Sequence, residues 1–517
     1  MRKTSKGLEI LVSRRHPEYK RKLPHWNFLD ECYNGGREWF APNIFRYLKE
    51  GDIEYRDRVE RAYRFNHTRE VVDLVSKYIF KTKIYRNEAM ASQSIKDFWE
   101  HSTKGGSSIK KFMREVCKQS SIYGRIWIVV DNNNDGSAIT IADEKNKNLS
   151  EYAYIVKPQN VLDMSYDDRG IINWILIQET YREDDDPFLS TGNSSIRYRL
   201  WTKNEWFLLG TEMQSDLLPD VVPNPILEQK NVFIIDLGTH NLGVVPVFAH
   251  DHSDTEELYT SPSLICDIAY LDRAVANYLS NLDAIIQDQS FSQLAMPAQG
   301  VMPHEDAYNK MTDVGTKRIF LFDGESGAQP FFLSPDPRQA ELIITAISKI
   351  INEIYHTVGM AGERTKQDNA VGIDNSSGVA KAYDFERVNA LLTSKGSALE
   401  KAEIKMMELV SLWNGESFDA ESLEDLVIYP ETYDVKGLSD EFGVANSLIL
   451  AQAPMEMRKE QMRILSEKLF PIIDSNLKEK INSEIEAMTD PIKDAMKQMV
   501  ASKSPLNKST PAIKPVS

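Results

Sequence analysis

The sequence has few of the features that mark membrane, secreted or disulfide-stabilised proteins. Its longest apolar stretches, such as Ile122–Val130 and Trp174–Ile177, are much shorter than the roughly 20 residues that a membrane-spanning helix requires, so we expect no membrane span. The basic N-terminus precedes only a short apolar run, which predicts no secretory signal and a chain that stays in the cytoplasm where it is made. The three cysteines have no CxxC spacing and are odd in number, which argues against a disulfide framework and a zinc site: Cys32, Cys117 and Cys266.

The sequence also lacks the familiar catalytic motifs, since it contains no Walker loop, GxSxG or HExxH. Asp131–Gly136 match the first half of a calcium loop, but Ala142 stands where the bidentate glutamate belongs, so a hairpin turn is favoured. The spacing within His250–Asp254 is unspecific for a metal ion. We therefore predict a protein that is not an enzyme and uses no metal or cofactor. A metal-dependent nuclease or other hydrolase stays as the alternative, because carboxylates brought together by folding are invisible in one sequence.

Length and charge set further bounds. The 517 residues exceed the usual size of a single core, so two or more packing units are expected. A net charge of −16 argues against binding duplex DNA over a general basic surface, although it allows DNA to pass nearby. Residues 1–30 hold eight Lys or Arg and three acidic residues, whereas residues 416–442 hold nine acidic residues and Lys436. This asymmetry suggests faces that meet different partners, with a solvated surface as the more common explanation.

Residue patterns predict an α+β fold. Residues 1–90 show the apolar spacing of helices. From about residue 120 to 250, β-branched and aromatic runs alternate with Asn, Asp, Gly and Pro clusters, which indicates strands and hairpins. The predicted strands include Ile122–Val130, Ile171–Ile177, Tyr198–Trp201, Trp206–Leu209 and Val232–Ile235.

Two long helices with heptad spacing are the clearest feature of the sequence. The first is predicted over residues 261–290, with Thr260 or Ser261 as its cap, and the second lies between Asp336 and Gly359. Their apolar residues repeat at intervals of four and three, which is typical of helices that pack along a seam: Leu264, Ile268, Leu271, Val275, Tyr278, Leu282, Ile343, Ile347, Ile350 and Ile354. We predict that neighbouring subunits bury these seams, because the short insert between the helices cannot. An ordinary helical bundle is the competing interpretation.

A third long helix is predicted over residues 377–413. Thr393–Ser397 interrupt its apolar stripe with small and polar residues, which predicts a kinked helix. Two further helices are expected at residues 440–453 and from 455 to about 490. The Ser-, Pro- and Lys-rich residues from Ser502 onward are expected to be disordered.

The order of these elements, together with several short strings, resembles portal proteins of tailed bacteriophages. Tyr63–Thr68 looks like the family's opening helix pair, and Leu242–Val247 looks like its hydrophobic strand before the stem. Thr260–Ser290 is similar to the stem helix itself. The start of the helix after the channel loop is similar to Ser377–Lys381, and the wing strands are similar to Tyr123-Gly124 and Val156–Asp163. The resemblance covers nearly the whole chain and lies in the order of these strings.

The resemblance implies a multi-domain portal fold with wing, helical stem, small α/β clip, kinked long helix and helical crown. Its expected bounds are 1–257 for the wing, 258–290 and 336–358 for the stem, 291–335 for the clip, 359–377 for a channel loop, 378–438 for the kinked helix and wing return, 439–501 for the crown and 502–517 for a disordered tail. The implied assembly is a ring, usually of twelve subunits, at one vertex of the virion head. It would serve DNA packaging, retention and ejection.

The implied partners are double-stranded DNA in the channel, the terminase, head-completion or adaptor proteins, and the major capsid and scaffold proteins, with no membrane. The channel loop would present Glu363, Arg364, Lys366, Asp368 and Asp374 to DNA. An acidic channel wall would repel phosphates from the first stem helix, through Asp267, Asp272, Asp283 and Asp288. Docking on the clip would use Lys310, Lys317, Arg318, Phe320 and Phe322.

Overall fold

The computed structural model describes residues 5–48, 50–132, 150–182, 184, 186–190, 192–211, 232–240, 242–253, 255, 257–290, 293–297, 319–322, 329–333, 337–359, 378–416, 425–430, 432–433, 438–451, 453–469 and 475–488. The chain divides into two compact units, Met1–Tyr433 and Asp434–Ser517. The first unit combines helices with small sheets around one continuous apolar core, and is therefore an α+β fold. Across these described ranges, no helix is both long enough and apolar enough to span a membrane.

Helices dominate the N-terminal part of the first unit: α1 (Ser5–Ser13), α2 (Pro17–Asn34), α3 (Phe40–Asn43), α4 (Asp52–Arg61), α5 (His67–Lys81), α6 (Gln93–Glu100) and α7 (Ile109–Tyr123). The start of α5 is fixed by Asn66, which adopts a left-handed conformation and accepts a hydrogen bond from the Arg69 N–H at 3.0 Å. An Asn side chain suits this capping position because it tolerates such a conformation and satisfies an otherwise unpaired helical N–H. The apolar stripe of α5 is buried, as its sequence pattern predicts.

The strands are β1 (Tyr85–Arg86), β2 (Arg125–Asn132), β3 (Glu151–Val156), β4 (Val161–Tyr166), β5 (Ile172–Arg182), β6 (Ser194–Thr202), β7 (Glu205–Thr211), β8 (Val232–Thr239), β9 (Val247–Asp251), β10 (Gln293–Pro297), β11 (Ile319–Phe322), β12 (Phe331–Leu333) and β13 (Val427–Ile428). Strands β4 to β8 form an antiparallel meander in chain order, and β2 lies between β3 and β9. Since β2 is covered on both faces, it reads as a continuous apolar run. The strands predicted from residue 171 to 235 are confirmed in β5 to β8.

The structure corrects the predicted strand at Ile122–Val130. Helix α7 continues through Tyr123, and β2 begins only at Arg125. Gly124 ends the helix with φ of 82° and ψ of −58°, and its N–H donates to the Ser120 carbonyl at 2.9 Å. Glycine adopts this backbone conformation without the clash that a Cβ introduces. The apolar character of Ile122 therefore reflects burial at the end of a helix.

Three long helices complete the first unit: α8 (Ile268–Ser290), α9 (Pro337–Thr357) and α10 (Gly378–Trp413). The predicted bounds of α9 are confirmed, whereas α8 begins later than its sequence suggests. The delay has a local cause, because the backbone before α8 is tied to the end of α7. The Ser263 hydroxyl donates to the Ile122 carbonyl at 2.7 Å, and the Leu264 N–H donates to the Ser121 carbonyl at 3.1 Å. Helix α10 stays helical through Thr393–Ser397, so these residues do not break it.

The second unit contains α11 (Leu438–Leu450), α12 (Met455–Leu469) and α13 (Ser475–Glu486). The predicted break at Pro454 is confirmed between α11 and α12. Helices α12 and α13 are joined by ion pairs that Glu486 makes with Lys459, at 3.5 Å, and with Arg463.

Replacement of Gly124 by alanine is expected to lower the free energy of unfolding by about 3 kcal/mol or more. An added Cβ would overlap the Ser261 carbonyl oxygen, which is backbone and cannot rotate away. Gly170→Ala is the matched control, because Gly170 also has a positive φ, of 77°, but has nothing within 4 Å of the position of a Cβ. That control should cost only about 1 kcal/mol. Urea unfolding of both variants measures the difference, and equal costs would show that the approach of Ser261 is unimportant.

Candidate functional site

The two heptad helices pack against each other, and we name α8 with α9 the stem pair. Ile268, Val275, Ile347 and Ile354 are buried in the single chain. Leu264, Leu271, Leu282, Ile343 and Ile350 are partly buried against the same core, and Tyr278 is the exception, with 38% of its surface exposed. The prediction that neighbouring subunits are needed to bury these seams is therefore wrong. Helices α4 and α5 also contact α8, so the chain covers its own seams.

A buried ion pair attaches α8 to the N-terminal helices. Arg64 lies just before α5, and its Nη2 is 3.1 Å from Oδ2 of Asp272, with the two side chains 4% and 1% exposed. The Thr68 hydroxyl donates to the same carboxylate oxygen at 2.8 Å. The guanidinium also lies over the Trp39 ring, 4.1 Å from its centre. Asp272 thus combines a charge partner with a hydrogen bond, which a carboxylate needs in order to be buried.

A second buried cation grips α8 two turns further along. Arg58 donates to both carboxylate oxygens of Glu50 at 2.7 Å and to the Ser280 hydroxyl at 3.0 Å. The Arg58 hydrogen bonds hold the pKa of Glu50 below its usual value. Beside them, the Asn277 amide accepts from the Phe45 N–H and donates to the Asn43 carbonyl, both at 2.9 Å. These contacts fix the loop between α3 and α4 against α8.

Helix α5 contacts the other member of the stem pair as well. The Tyr355 hydroxyl of α9 donates to the Glu70 carboxylate and lies 3.1 Å from Nδ1 of His67. Because Thr68 contacts α8 and His67 contacts α9, the first turn of α5 holds both stem helices. Sequence reasoning did not assign these residues a role, although the string Tyr63–Thr68 that carries the resemblance includes Arg64, His67 and Thr68.

The predicted acidic wall is divided by the structure. Asp267 is exposed, and the Asp283 side chain is 27% exposed and lies 3.6 Å from Arg61. Asp288 lies near the end of α8, and its side chain is not among those described. Asp272 is buried against Arg64, so its assignment to an exposed wall is wrong. The sequence pattern shows that Asp272 lies on a helix, but not that an arginine distant in sequence packs against it.

The other predicted residues fall largely outside the described residues. This holds for Glu363, Arg364, Lys366, Asp368 and Asp374 of the loop, and for Lys310, Lys317 and Arg318 of the clip. Phe320 and Phe322 lie in β11, which pairs in parallel with β10.

The candidate metal ligands have other partners or surroundings. Asp131 accepts hydrogen bonds from the Tyr152 hydroxyl at 2.9 Å and from the Asn132 N–H at 2.8 Å. His250 and His252 are buried, and Asp251 pairs with Arg125 at 2.6 Å. In the part of the chain that the structure describes, no group of three or more His, Cys, Asp or Glu side chains is placed to hold a metal ion.

Comparison with known proteins points to one family. A family described as "Phage portal protein, SPP1 Gp6-like" matches residues 15–421. Among solved structures, a chain from the "Neck of empty GTA particle computed with C6 symmetry" is similar, with a TM-score of 0.40 and 12% sequence identity over 81% of this chain and 99% of that chain. No curated protein sequence matches the chain.

Removal of the Asp272 charge tests the anchoring of the stem pair. Asp272→Asn should lower the free energy of unfolding by about 3 kcal/mol, because it leaves Arg64 as a buried charge without a counter-charge. Asp283→Asn on the same helix is the control, and its partly exposed pair should contribute less than about 1 kcal/mol. The double variant Arg64→Met/Asp272→Leu should recover much of the loss. Urea unfolding reports all three, and similar values for the two single variants would contradict an anchoring role for Asp272.

Proposed function

Since a family match covers residues 15–421, more than half of its length, the chain belongs to the phage portal proteins of the SPP1 Gp6-like family, and we propose that it forms a ring-shaped channel for DNA at one vertex of a viral head. The ring would serve DNA packaging, retention and ejection. It would also be the docking platform for terminase and for head-completion or adaptor proteins, within a capsid built with scaffold. The family match is the observation that carries this proposal.

The attachment of the stem pair supports a channel role. A channel wall must keep its shape while DNA moves past it, and buried, hydrogen-bonded charges at Arg58 and Arg64 hold α8 in one position. The seams are buried inside the chain, so neighbouring subunits must contact other surfaces. Large apolar side chains that stay exposed on the stem pair are the proposed contacts in a closed, heterologous ring: Tyr270, Tyr278, Ile286, Leu342 and Ile344.

The channel loop and the acidic wall remain proposals from the sequence. Residues 359–377 join α9 to α10 and carry Arg364 and Lys366 beside three acidic residues. Such a mixture would allow transient contact with phosphates while limiting its strength. The corrected wall comprises Asp267, Asp283 and Asp288, and a ring would multiply their negative charge.

Native mass spectrometry tests the assembly. We expect a single closed oligomer of many subunits, most simply twelve, that persists when the salt concentration is raised, because apolar contacts are screened little by ions. Monomers or dimers at every salt concentration would contradict the proposal. The hydrolase alternative makes a separate prediction, that the same preparation cleaves DNA when a divalent metal is added.

Reversal of the proposed wall charge should make DNA bind to the ring. In Asp267→Lys/Asp288→Lys, every subunit exchanges two negative charges for two positive ones, so affinity for a short duplex should rise at least about tenfold and depend more steeply on salt. The control is Asp168→Lys/Asp236→Lys, which makes the same charge change at exposed positions next to β4 and in β8. Fluorescence anisotropy at several salt concentrations measures both. Equal affinities for the two double variants would remove the wall from the channel.

A further inference from the structure

The middle of α10 directs a lysine into the core. Lys395 is 1% exposed, and its Nζ donates to the Ser120 hydroxyl of α7 at 2.6 Å. That hydroxyl is itself held by the Val116 carbonyl, at 2.8 Å. Within the described residues, Lys395 has no carboxylate at ion-pairing distance and no second acceptor. A protonated amine has three donors, so this charge is incompletely satisfied in its buried position.

The groups that face Lys395 supply no negative charge inside the core. From β9, His250 and His252 are 4% and 8% exposed, and Nε2 of His250 and Nδ1 of His252 lack hydrogen-bond partners among the described residues. Between them, Asp251 turns to the 23% exposed position where it pairs with Arg125. Cys117 of α7 is fully buried.

The same stretch of α10 is closely packed on its other side. Tyr433 lies against Gly396, where a Cβ would overlap its hydroxyl, and that hydroxyl has no partner in the described part of the chain. Leu392 and Leu399 are buried on either side. The centre of α10 is therefore held between α7, β9 and the segment that ends at Tyr433, and Lys395 provides its charged contact with α7. We name Lys395, Ser120, His250 and His252 the Lys395 cluster.

Two turns further along, α10 is fixed in a different way. Arg86 makes a bidentate pair with Glu403, with distances of 2.6 and 3.1 Å, and Glu403 is fully buried. The Tyr429 hydroxyl donates to the same carboxylate at 2.9 Å. This attachment has matched charges, so a loss of the Lys395 contact would free only the part of α10 before Glu403, towards Gly378.

We propose that the Lys395 cluster is an acid-sensitive latch, in which protonation of His250 or His252 places a second positive charge beside Lys395 and releases the N-terminal half of α10 from α7 and β9. The released half leads to residues 359–377. A consequence for the channel would follow only if the proposed portal function is right, whereas the latch itself is a property of the folded chain.

The direction of the pH dependence follows from the buried state. Burial, together with the charge of Lys395, lowers the pKa of both histidines well below the usual 6.5. The folded state therefore resists protonation that the unfolded chain accepts, and stability is kept above pH 6.5 and lost as the pH falls below it. Burial also lowers the pKa of Lys395 to about 8. The cost of burying its charge is fully present below pH 8 and disappears as the pH rises towards 10.5, so it stays constant across the acidic range of the test.

Hydrogen–deuterium exchange of the full-length protein between pH 7.5 and 5 tests the latch. After correction for intrinsic rates, we expect protection to fall at least about tenfold in peptides from 386–399 as the pH drops, while peptides from 403–413 keep theirs. His250→Gln/His252→Gln should abolish the acid-induced loss. Lys395→Met should shift it to lower pH, because the repelling charge is gone. The control Lys405→Met changes an exposed lysine of the same helix and should behave like wild type.

Outcomes that overturn the latch are distinct from failure of the portal proposal, because exchange can be read in any oligomeric state. The latch is wrong if wild type shows no acid-induced loss in 386–399, or if both cluster variants lose protection as wild type does. It is also wrong if peptides on both sides of Glu403 lose protection together, since that would indicate global unfolding. If Lys395→Met does not fold, the histidine double variant still decides.

Discussion

The buried pair of Arg64 and Asp272 is the contact on which the position of the stem pair depends. Two charges removed from water are tolerated only when they meet each other with good geometry, so any sliding of α8 past α5 would leave both unpaired. The Thr68 hydroxyl and the Trp39 ring surround the pair, which further restricts where the guanidinium can lie. An apolar contact alone would allow several registers at similar energy. The ion pair selects one.

Attachments before and after Asp272 act in the same direction. Before α8, the chain crosses Gly124 so closely that only a glycine fits, and Ser263 ties the crossing to the last turn of α7. After Asp272, Ser280 meets Arg58 roughly 12 Å further along the helix. One face of α8 is thus held along much of its length, and α9 covers another. The sides that remain are the ones available to neighbouring subunits.

Periodicity was sufficient to predict the long helices, because heptad spacing depends only on residues near each other in sequence. It also identified Ile268, Val275, Ile347 and Ile354 as buried. What covers them could not be predicted in this way, since α4 and α5 precede α8 by some two hundred residues in the chain. The same limit applies to Asp272, whose pattern is that of any helical aspartate until Arg64 is brought beside it by folding. The loop and clip residues lie outside the described residues and stay predictions.

The buried cations of this chain differ in how firmly they fix what they touch. Arg58, Arg64 and Arg86 each meet a carboxylate, and a planar guanidinium keeps its charge at any ordinary pH. Lys395 meets only a hydroxyl, and a lysine ammonium loses its proton readily when buried. The stem pair is therefore held by contacts whose charge does not change, whereas the centre of α10 is held by one whose charge can. Because Glu403 fixes the same helix two turns later, any movement that begins at Lys395 is directed towards Gly378 and the segment that joins α10 to the stem pair.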